Sequence, residues 1–413
     1  MLLFSSTEES TEPSLIPSGL NHRPAMSDVL PLQFRIQKGI GEVSEKAWNS
    51  LLDDQALPFL EWGWLDALEG SGSISPNRGW HPRHLTLWRG NRLVAAAPAY
   101  LKDDSHGEFV FDWSWASAAG RVGLRYYPKL ILAVPATPAT GRRILVAKNE
   151  SRSACESELI RGALDFARSE GLSSVHALFP TEDEWQTFKA LGFAGRLGVQ
   201  YHWQNAGYRH FDEFLERFNS KRRNQLKRER RAPEEQGISL RTVRGDDLLE
   251  VKPDLVFRLY CSTVDKYLWG YRHLQPSFFD RLWKRFRHRV EWVEARKRGK
   301  VVAGAFNIAS SDVLYGRYWG CFEEFPFLHF NVCLYRSIED CIARRLRRFE
   351  PGAGGEHKLV RGFEPRLTYS AHWIFHPGLD RAVRDFLRSE RAAILEGLPQ
   401  WSRETGFKQS SNS

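Results

Sequence analysis

The chain has 413 residues, of which 42% are hydrophobic and 13% aromatic, so it can bury sizeable cores and is not globally disordered. Its formal net charge is +9, and its apolar stretches stay shorter than the roughly 18 residues that a membrane-spanning helix requires. At about 150 residues per domain, the length predicts two or three domains.

Residues 1–32 are predicted to form a disordered extension, because Ser, Pro, Glu and Thr dominate them. The opening letters MLLFSSTEES lack the basic start and the longer apolar run of a secretory signal. The cysteines form no CxxC pair and lack the spacing of metal ligands. These features predict a cytoplasmic protein with free thiols and no metal site, the cysteines being Cys155, Cys261, Cys321, Cys333 and Cys341.

Two hairpins with related sequences come next in chain order. Residues 89–98 read RGNRLVAAAP and residues 298–306 read RGKVVAGAF. Each has a tight glycine-containing turn followed by a strand of small residues, and each follows a strand-like segment, HLTLW or RVEWVEA. The similarity predicts an internal duplication on the scale of a domain.

The segments after the hairpins extend the similarity. We predict aromatic strands at Glu108–Trp115 and Val313–Gly320. We predict amphipathic helices at Cys155–Glu170 and Val332–Arg348, with Asn331 as the N-cap of the second helix. A strand should follow each helix, as SSVHALF in the first copy and around residue 349 in the second.

The sequence therefore predicts an α/β (α+β) fold made of two copies of one unit, with mixed central sheets flanked by helices. The first copy spans 33–205 and the second 206–395, and a flexible tail covers 396–413.

A strongly basic run, residues 219–231, lies just after the junction of the two copies. Its letters NSKRRNQLKRERR contain seven basic residues and one acid. One interpretation is a solvated helix face, and the other is a contact for the phosphates of an RNA, an anionic lipid or a nucleotide. The run lacks the interleaved aromatic residues that would indicate single-stranded nucleic-acid binding.

The first copy ends with a helix closing on LGF and then a last strand, which resembles the end of a GNAT acyltransferase domain. Tandem GNAT-like units with a basic segment between them resemble the FemAB-like proteins. Longer motifs resemble the bacterial peptidoglycan biosynthesis/recognition branch of predicted N-acyltransferases, namely PFLEWGWLDALEGSGS (58–73), GWHPRHL (79–85), SHGEFVFD (105–112), YYPKL (126–130), LYGRYWGC (314–321), EPGAGGEHKLVRGF (350–363) and TYSAHW (368–373).

This resemblance implies tandem GNAT-like domains and a cell-wall role. FemAB-like proteins include ligases that add amino acids to peptidoglycan precursors, so the acceptor implied is an envelope precursor. The family has an acid where this chain has Asn331, a difference that would impair activity if the acid were catalytic.

The glycine-rich stretch FEPGAGGEHKLVRGF, residues 349–363, resembles a phosphate cradle. It lacks the GxxxxGK[ST] spacing, and its glycines follow a strand and do not open a helix, so it is not a P-loop. We interpret it as a substrate loop in which glycines allow close approach of the backbone and Glu356, His357, Lys358 and Arg361 supply charge. The alternative is a turn whose polar side chains face solvent.

Neither copy carries the GNAT pyrophosphate loop ahead of its helix. This absence weakens the inference of acyl-CoA as the donor, and aminoacyl-tRNA suits the basic run better. The predicted co-substrate is acyl-CoA or aminoacyl-tRNA, with no bound cofactor. Donor phosphates would contact the basic residues Arg142, Arg143, Lys221, Arg222 and Arg223.

Acyl transfer to an amine needs a base, an oriented acceptor and stabilisation of the oxyanion. Candidate catalytic residues are Glu108, Asp112, His329, Glu356 and His357. Candidate substrate-binding residues are Tyr315, Arg317, Trp319, Lys358 and Arg361. No GxSxG or HExxH pattern occurs.

The leading functional hypothesis is an N-acyltransferase of the cytoplasm, or of the inner-membrane periphery, acting on a small-molecule or envelope-precursor amine. Residues 219–231 would contact tRNA or an anionic membrane surface. The alternative hypothesis is a non-catalytic binding protein for an anionic glycan or RNA.

Overall fold

The computed structural model describes residues 30–266 and 271–408, so residues 1–29 of the predicted extension lie outside the described part. The strands are β1 Leu32–Gln37, β2 Trp80–Pro82, β3 His84–Arg89, β4 Arg92–Ala97, β5 Ala99–Lys102, β6 Lys129–Leu132, β7 Leu145–Val146, β8 Ser174–Leu178, β9 Ala194–Gln204, β10 Ile238–Arg244, β11 Val290–Lys297, β12 Lys300–Ala309, β13 Val313–Cys321, β14 Arg348–Glu350 and β15 Glu364–Ile374. The α-helices are α1 Glu45–Asn49, α2 Trp62–Gly70, α3 Trp113–Arg121, α4 Arg152–Ser169, α5 Glu182–Ala190, α6 Phe211–Glu216, α7 Ser220–Glu235, α8 Pro253–Val264, α9 Pro276–Arg285, α10 Leu328–Phe330, α11 Arg336–Ala343 and α12 Pro377–Arg403.

The internal duplication is visible in the strand order. Within the described residues, an 11-stranded sheet has the order β10-β11-β12-β13-β14-β9-β15-β8-β6-β5-β2, and a second sheet has the order β1-β3-β4-β7. In each half, antiparallel strands lead to one parallel pair, β6 with β8 and β13 with β14. A helical segment connects the two strands of each pair. This arrangement confirms the predicted mixed α/β fold of two GNAT-like units.

The last strands of the two halves are exchanged. Strand β9 ends the first half but pairs with β14 of the second, and β15 ends the second half but pairs with β8 of the first. The two exchanged strands pair with each other in the middle of the sheet. From Leu32 onward the described residues consequently form one compact unit, and the boundary predicted near residue 205 falls inside a continuous sheet.

Both predicted hairpins are present. Strand β3 pairs with β4 around Gly90, and β11 pairs with β12 around Arg298 and Gly299. All three turn residues have positive φ, between 51° and 76°, which is the left-handed region that glycine adopts without strain. Apolar residues of β3, β4 and β6 pack with α4 into a core that includes Leu87, Leu130 and Leu159.

The predicted aromatic strand Glu108–Trp115 is wrong, because this segment is a loop followed by α3. Gly107 and Phe109 have φ of 78° and 60°, which interrupts an extended backbone. The loop turns so that the carboxylates of Glu108 and Asp112 both reach the ammonium of Lys129. Strand β6, which begins at this lysine, takes the place expected for the aromatic strand.

The first predicted helix is confirmed as α4, whose N-cap Ser151 accepts a hydrogen bond from the amide of Ala154. The second helix begins earlier than predicted, at Leu328, and passes through a π-helical turn at Asn331–Tyr335 before α11. Asn331 is therefore not an N-cap. Its backbone is helical, and its buried amide donates to the carbonyl oxygen of Glu229 at 2.8 Å.

At the C-terminus, α12 continues to Arg403, beyond residue 396 where the flexible tail was predicted to begin. Phe407 then packs on Phe218, with 4.8 Å between the ring centroids. This apolar contact fixes the described end of the chain against α6 and α7.

Candidate functional site

An open cavity lies where the parallel strands of the second half separate. Strands β13 and β14 pair only from Val313–Tyr315 to Arg348–Glu350. Beyond this pairing, a cavity of about 320 Å³ opens between β13 and the glycine-rich loop. Its lining residues are Tyr260, Thr263, Val264, Ala305, Asn307, Arg317, Tyr318, Trp319, His329, Cys333, Leu334, Pro351, Ala353, Gly354, Gly355, His357 and Lys358.

One wall of the cavity is aromatic and carries two histidines. The ring centroids of Trp319 and His329 are 4.8 Å apart, and those of His329 and His357 are 5.9 Å apart. Burial, followed by the positive charge around it, lowers the pKa of His329 to about 4. Burial also lowers the pKa of His357, although this side chain is exposed on the loop. Both imidazoles are therefore neutral at pH 7 and can accept a proton.

Lys358 forms the floor of the glycine-rich loop. Its ammonium is buried and donates to the carbonyl oxygens of Gly352 at 2.9 Å, Gly354 at 2.6 Å and, more weakly, Ala353 at 3.4 Å. Burial lowers the pKa of this ammonium to about 8. The lysine shapes the loop, and its donors are already used within it.

Arg317 closes the cavity on the side of β13. One guanidinium nitrogen donates to the carbonyl oxygen of Ala136, and the group lies 5.3 Å from the ring of Phe59. Its Nε is buried and has no hydrogen-bond partner in the described structure. Nη1 also has no partner in this part of the chain and is not buried, so it can donate to a ligand.

At the corresponding position of the first half, a side chain fills the space. Arg143 is completely buried between the ends of β6 and β8, where its guanidinium donates to the carbonyl oxygens of Ala139 and Phe179 at 2.5 and 2.8 Å. The amide of Gly141 donates to the same oxygen of Phe179, and Glu184 accepts from the amide of Arg143. Arg143 was predicted to bind the donor, but in the structure its guanidinium links the backbone at Ala139 to that at Phe179.

Arg142 and Tyr315 lie at a second cavity of about 260 Å³, and the structure does not bring them to the first. The guanidinium of Arg142 forms ion pairs with Glu156 and Asp183. Tyr315 is buried, with its ring 5.2 Å from that of Phe59.

Glu108 and Asp112 lie in a buried polar cluster of the first half and do not line either cavity. Lys129 Nζ donates to Glu108 Oε2 at 2.8 Å, to Asp112 Oδ2 at 2.6 Å and to Ser105 Oγ at 2.8 Å. Burial raises the pKa of Glu108 to about 7. For Asp112, burial is outweighed by the charge of Lys129 together with His176 and the hydrogen bonds from Lys129 and Ser105, so its pKa is lowered. The cluster is built as an internal ion network.

Arg361 and Glu356 differ in exposure. The guanidinium of Arg361 is buried, and its Nε and Nη2 donate to Glu229 Oε2 at 3.2 and 2.9 Å. Tyr335 donates to the same carboxylate oxygen at 2.5 Å. Glu356 is exposed and outside the cavity lining. Arg361 thus joins the loop to α7, and neither residue lines the cavity.

The basic run forms the exposed face of α7. Asn219 caps this helix, accepting from the amide of Arg222 at 3.0 Å. Lys221 is exposed and Arg222 and Arg223 are half-buried, and none of the three lines the cavity. The helix packs through Leu226 and Glu229, which are buried. The basic run is thus a solvated helix face. The role of Lys221, Arg222 and Arg223 in donor binding stays a prediction.

The structure brings five predicted site residues to one cavity, namely Arg317, Trp319, His329, His357 and Lys358. It adds others that the sequence did not single out. Cys333 and Asn307 line the same cavity from the π-helical turn and from β12. Cys333 lies four residues after His329, a helical spacing that could have indicated a shared face.

Replacing Glu350 by glutamine is expected to flatten the dependence of stability on pH. Glu350 is buried, with Arg348 Nη2 2.8 Å from one carboxylate oxygen, and burial raises its pKa to about 7 from an ordinary 4.5. The folded state binds the proton more tightly, so the contribution of Glu350 to stability is largest below pH 4.5 and is lost as pH rises through 7. Wild type should lose about 3 kcal/mol more than Glu350→Gln between pH 4.5 and pH 8. Urea unfolding at pH 4.5 and at pH 8 measures this difference. An equal change in unfolding free energy in wild type and Glu350→Gln would contradict the prediction.

The chain belongs to the FemAB-like family, described as peptidoglycan biosynthesis/recognition, whose family model matches residues 39–409. Within the described residues, no helix has both the length and the apolar character needed to cross a membrane. Nor does this part of the chain contain a group of three or more His, Cys, Asp or Glu side chains arranged to hold a metal ion.

Solved structures with a similar course of the chain include the following three. A FemX crystal structure is 12% identical, with 83% of this chain and 98% of that chain covered and a TM-score of 0.47. The C-terminal domain of a putative lysylphosphatidylglycerol synthetase from Agrobacterium fabrum is 9% identical, with coverages of 84% and 96% and a TM-score of 0.46. A tandem GNAT protein from the clavulanic acid biosynthesis pathway is 12% identical, with coverages of 84% and 99% and a TM-score of 0.42. No curated protein matches the chain.

Proposed function

We propose that the protein is an N-acyltransferase whose reaction takes place in the cavity between β13 and the glycine-rich loop. It would move an acyl or aminoacyl group from an activated donor to an amine, and the family description supports an envelope precursor as the acceptor. The observation that carries the proposal is the contrast between the halves. The cleft of the second half is open and lined by two neutral histidines, whereas Arg143 fills that of the first.

The position of the cavity supports a ligand site. Ligands of α/β proteins bind beyond the carboxyl ends of parallel strands, and the cavity opens just there on β13 and β14. His357 would accept the proton of the acceptor ammonium, because its imidazole is neutral and reaches the cavity from the loop. The freed amine would attack the donor carbonyl, and the leaving thiol or hydroxyl would take up the proton. The ring of Trp319 would orient a flat or sugar-like part of the substrate.

The basic face of α7 favours aminoacyl-tRNA over acyl-CoA as the donor. The helix that carries His329 and Cys333 into the cavity contacts α7 on its other side, through Asn331 and the buried Glu229. A polyanionic donor lying along α7 would therefore end close to the cavity. Exposed charges such as Lys227 and Arg228 would bind its phosphates.

Ligand-induced stabilisation tests the proposed function. Melting temperature would be measured with acetyl-CoA, longer acyl-CoAs, bulk aminoacyl-tRNA and nucleotide-linked cell-wall precursors. A ligand at a hundred times its dissociation constant should add about 2.7 kcal/mol of stability. A rise in melting temperature with one donor class would support the transferase, and stabilisation by a precursor without any donor effect would contradict it.

Charge reversal on α7 separates the two donor classes. The double variant Lys227→Glu and Arg228→Glu should abolish most of the stabilisation by aminoacyl-tRNA, because two phosphate contacts become repulsive. It should leave stabilisation by acyl-CoA and by precursors unchanged. The melting-temperature shift at two salt concentrations measures this, and an unaltered response to aminoacyl-tRNA would exclude α7 from donor binding.

The second candidate function is a binding protein without catalysis. Two observations favour it. No carboxylate lines the cavity, and the pKa of His329, about 4, makes this imidazole a weak base. Precursor binding without turnover of any donor is the result that would establish it.

A further inference from the structure

The carbonyl groups of the glycine-rich loop converge on one ammonium. Gly352, Ala353 and Gly354 turn their carbonyl oxygens toward Lys358 Nζ, at 2.9, 3.4 and 2.6 Å. The glycines Gly352, Gly354 and Gly355 have φ of 90°, 69° and 89°, a conformation that other residues adopt only with strain. The sequence thus folds this loop around the buried lysine.

Peptide geometry fixes where the amide groups of the loop point. In a planar trans peptide, the carbonyl of one residue and the N–H of the next point in opposite directions. Because three successive carbonyls face the lysine, the N–H groups of Ala353, Gly354 and Gly355 face away from it. No acceptor for these three amides is found in the described part of the chain, and all three residues line the cavity.

The opposite wall adds another donor. Arg317 Nη1 takes no part in the hydrogen bonds that Arg317 makes through Nη2 to Ala136 and Tyr318, and Arg317 lines the same cavity. The backbones of β13 and the loop lie close together next to this arginine, since a Cβ built at Gly352 would meet the Gly316 carbonyl oxygen at 3.3 Å. The cavity lining holds no Asp or Glu side chain that would repel an anion. Amide and guanidinium donors, with positive charge behind them, therefore face a space without a matching acceptor.

We propose that the loop Gly352–Gly355 is an anion-binding site, in which the amides of Ala353, Gly354 and Gly355 and the guanidinium of Arg317 bind an oxyanion group, phosphate or carboxylate. The proposal rests on the proposed function in that the anion belongs to a substrate of this cavity. Successive backbone N–H groups in such a turn form a recognised type of anion-binding concavity. Lys358 is a positioning residue here, because it holds the peptide groups and adds its charge without touching the ligand.

Calorimetric titration of the full-length protein with inorganic pyrophosphate, and in parallel with malonate, tests the site without any acyl donor. Arg317→Gln should weaken pyrophosphate binding at least about tenfold, the effect of losing one hydrogen bond to a charged group. Lys358→Met should weaken it to a similar degree, because the loop carbonyls lose the ammonium that orients the peptide groups. Lys148→Met and Arg161→Gln, which change exposed basic residues outside the cavity lining, are the matched controls and should bind as wild type does. Tighter binding of pyrophosphate than of malonate assigns a phosphate, and the reverse assigns a carboxylate.

Amide hydrogen exchange of the wild type locates the binding. Pyrophosphate should slow exchange in a peptide covering residues 351–358. Equal affinity in wild type, Lys358→Met and Arg317→Gln would mean an adventitious ion only and would overturn the site. Weaker pyrophosphate binding in Arg317→Gln without slower exchange in the loop would overturn the role of the loop amides. If Lys358→Met does not fold, the affinity of Arg317→Gln decides the test. Anion binding without acyl transfer would contradict the proposed function and leave the anion site supported. Acyl transfer with unchanged anion binding in both variants would support the proposed function and overturn the anion site.

Discussion

Replacing Lys129 by methionine is expected to lower the free energy of unfolding by about 3 kcal/mol or more, as removal of one partner of a buried ion network does. Lys129 is completely buried, and its ammonium donates to Glu108, Asp112 and Ser105. Without the ammonium, two carboxyl groups would remain in the interior with no cation to compensate them. Urea unfolding at pH 7.5 measures the loss.

The loss should shrink as pH falls, because the two carboxyl groups can then take up protons. Lys148→Met is the matched control, since Lys148 is exposed and its loss should change stability by less than about 0.5 kcal/mol. A loss below 1 kcal/mol for Lys129→Met would contradict the assignment of Glu108 and Asp112 to a structural network. It would return them to the candidate catalytic residues.

Replacing His357 by alanine is expected to lower kcat for acyl transfer by about 10²–10⁴-fold, the usual contribution of a general base. The side chain is exposed on the loop, so the free energy of unfolding should stay close to that of the wild type. Turnover would be measured with the donor that stabilises the protein most.

The pH profile separates a base from a contact residue. Because burial lowers the pKa of His357 below its ordinary 6.5, activity should persist at pH 6.5 and fall only at lower pH, where the imidazole becomes charged. His210→Ala is the control, since His210 is also exposed and does not line the cavity. Normal kcat in His357→Ala, with an acid limb unchanged from wild type, would exclude the residue as the base.

Local patterns predicted the parts of the fold that depend on local contacts. The hairpins around Gly90 and Gly299 and the helix after Ser151 follow from turn glycines, strand propensity and an N-cap. Trp319, His329 and His357 could be chosen as candidates by residue type, as a ring that can stack on a substrate and as two possible bases. The turn and capping signals lie within a few residues of the element they specify.

Long-range charge pairing explains the features of the fold and the site that local patterns did not predict. Glu108 and Asp112 leave the predicted strand because Lys129 lies across the fold, and Arg143 is drawn into the first cleft by carbonyl oxygens of two separate segments. Arg361 pairs with Glu229, which lies more than a hundred residues earlier. The exchange of the last strands likewise depends on pairing between distant segments, which periodicity does not encode.

The proposed function places the ligand site beside the glycine-rich loop of the second half, whereas Arg143 is buried at the corresponding position of the first half. Amide hydrogen exchange, with and without the donor that raises the melting temperature most, tests this directly. We expect slower exchange in peptides covering residues 317–319 and 351–358, and no change in peptides covering 139–144 and 179–184. Protection confined to 139–144 and 179–184 would contradict it and would place the donor in the first half.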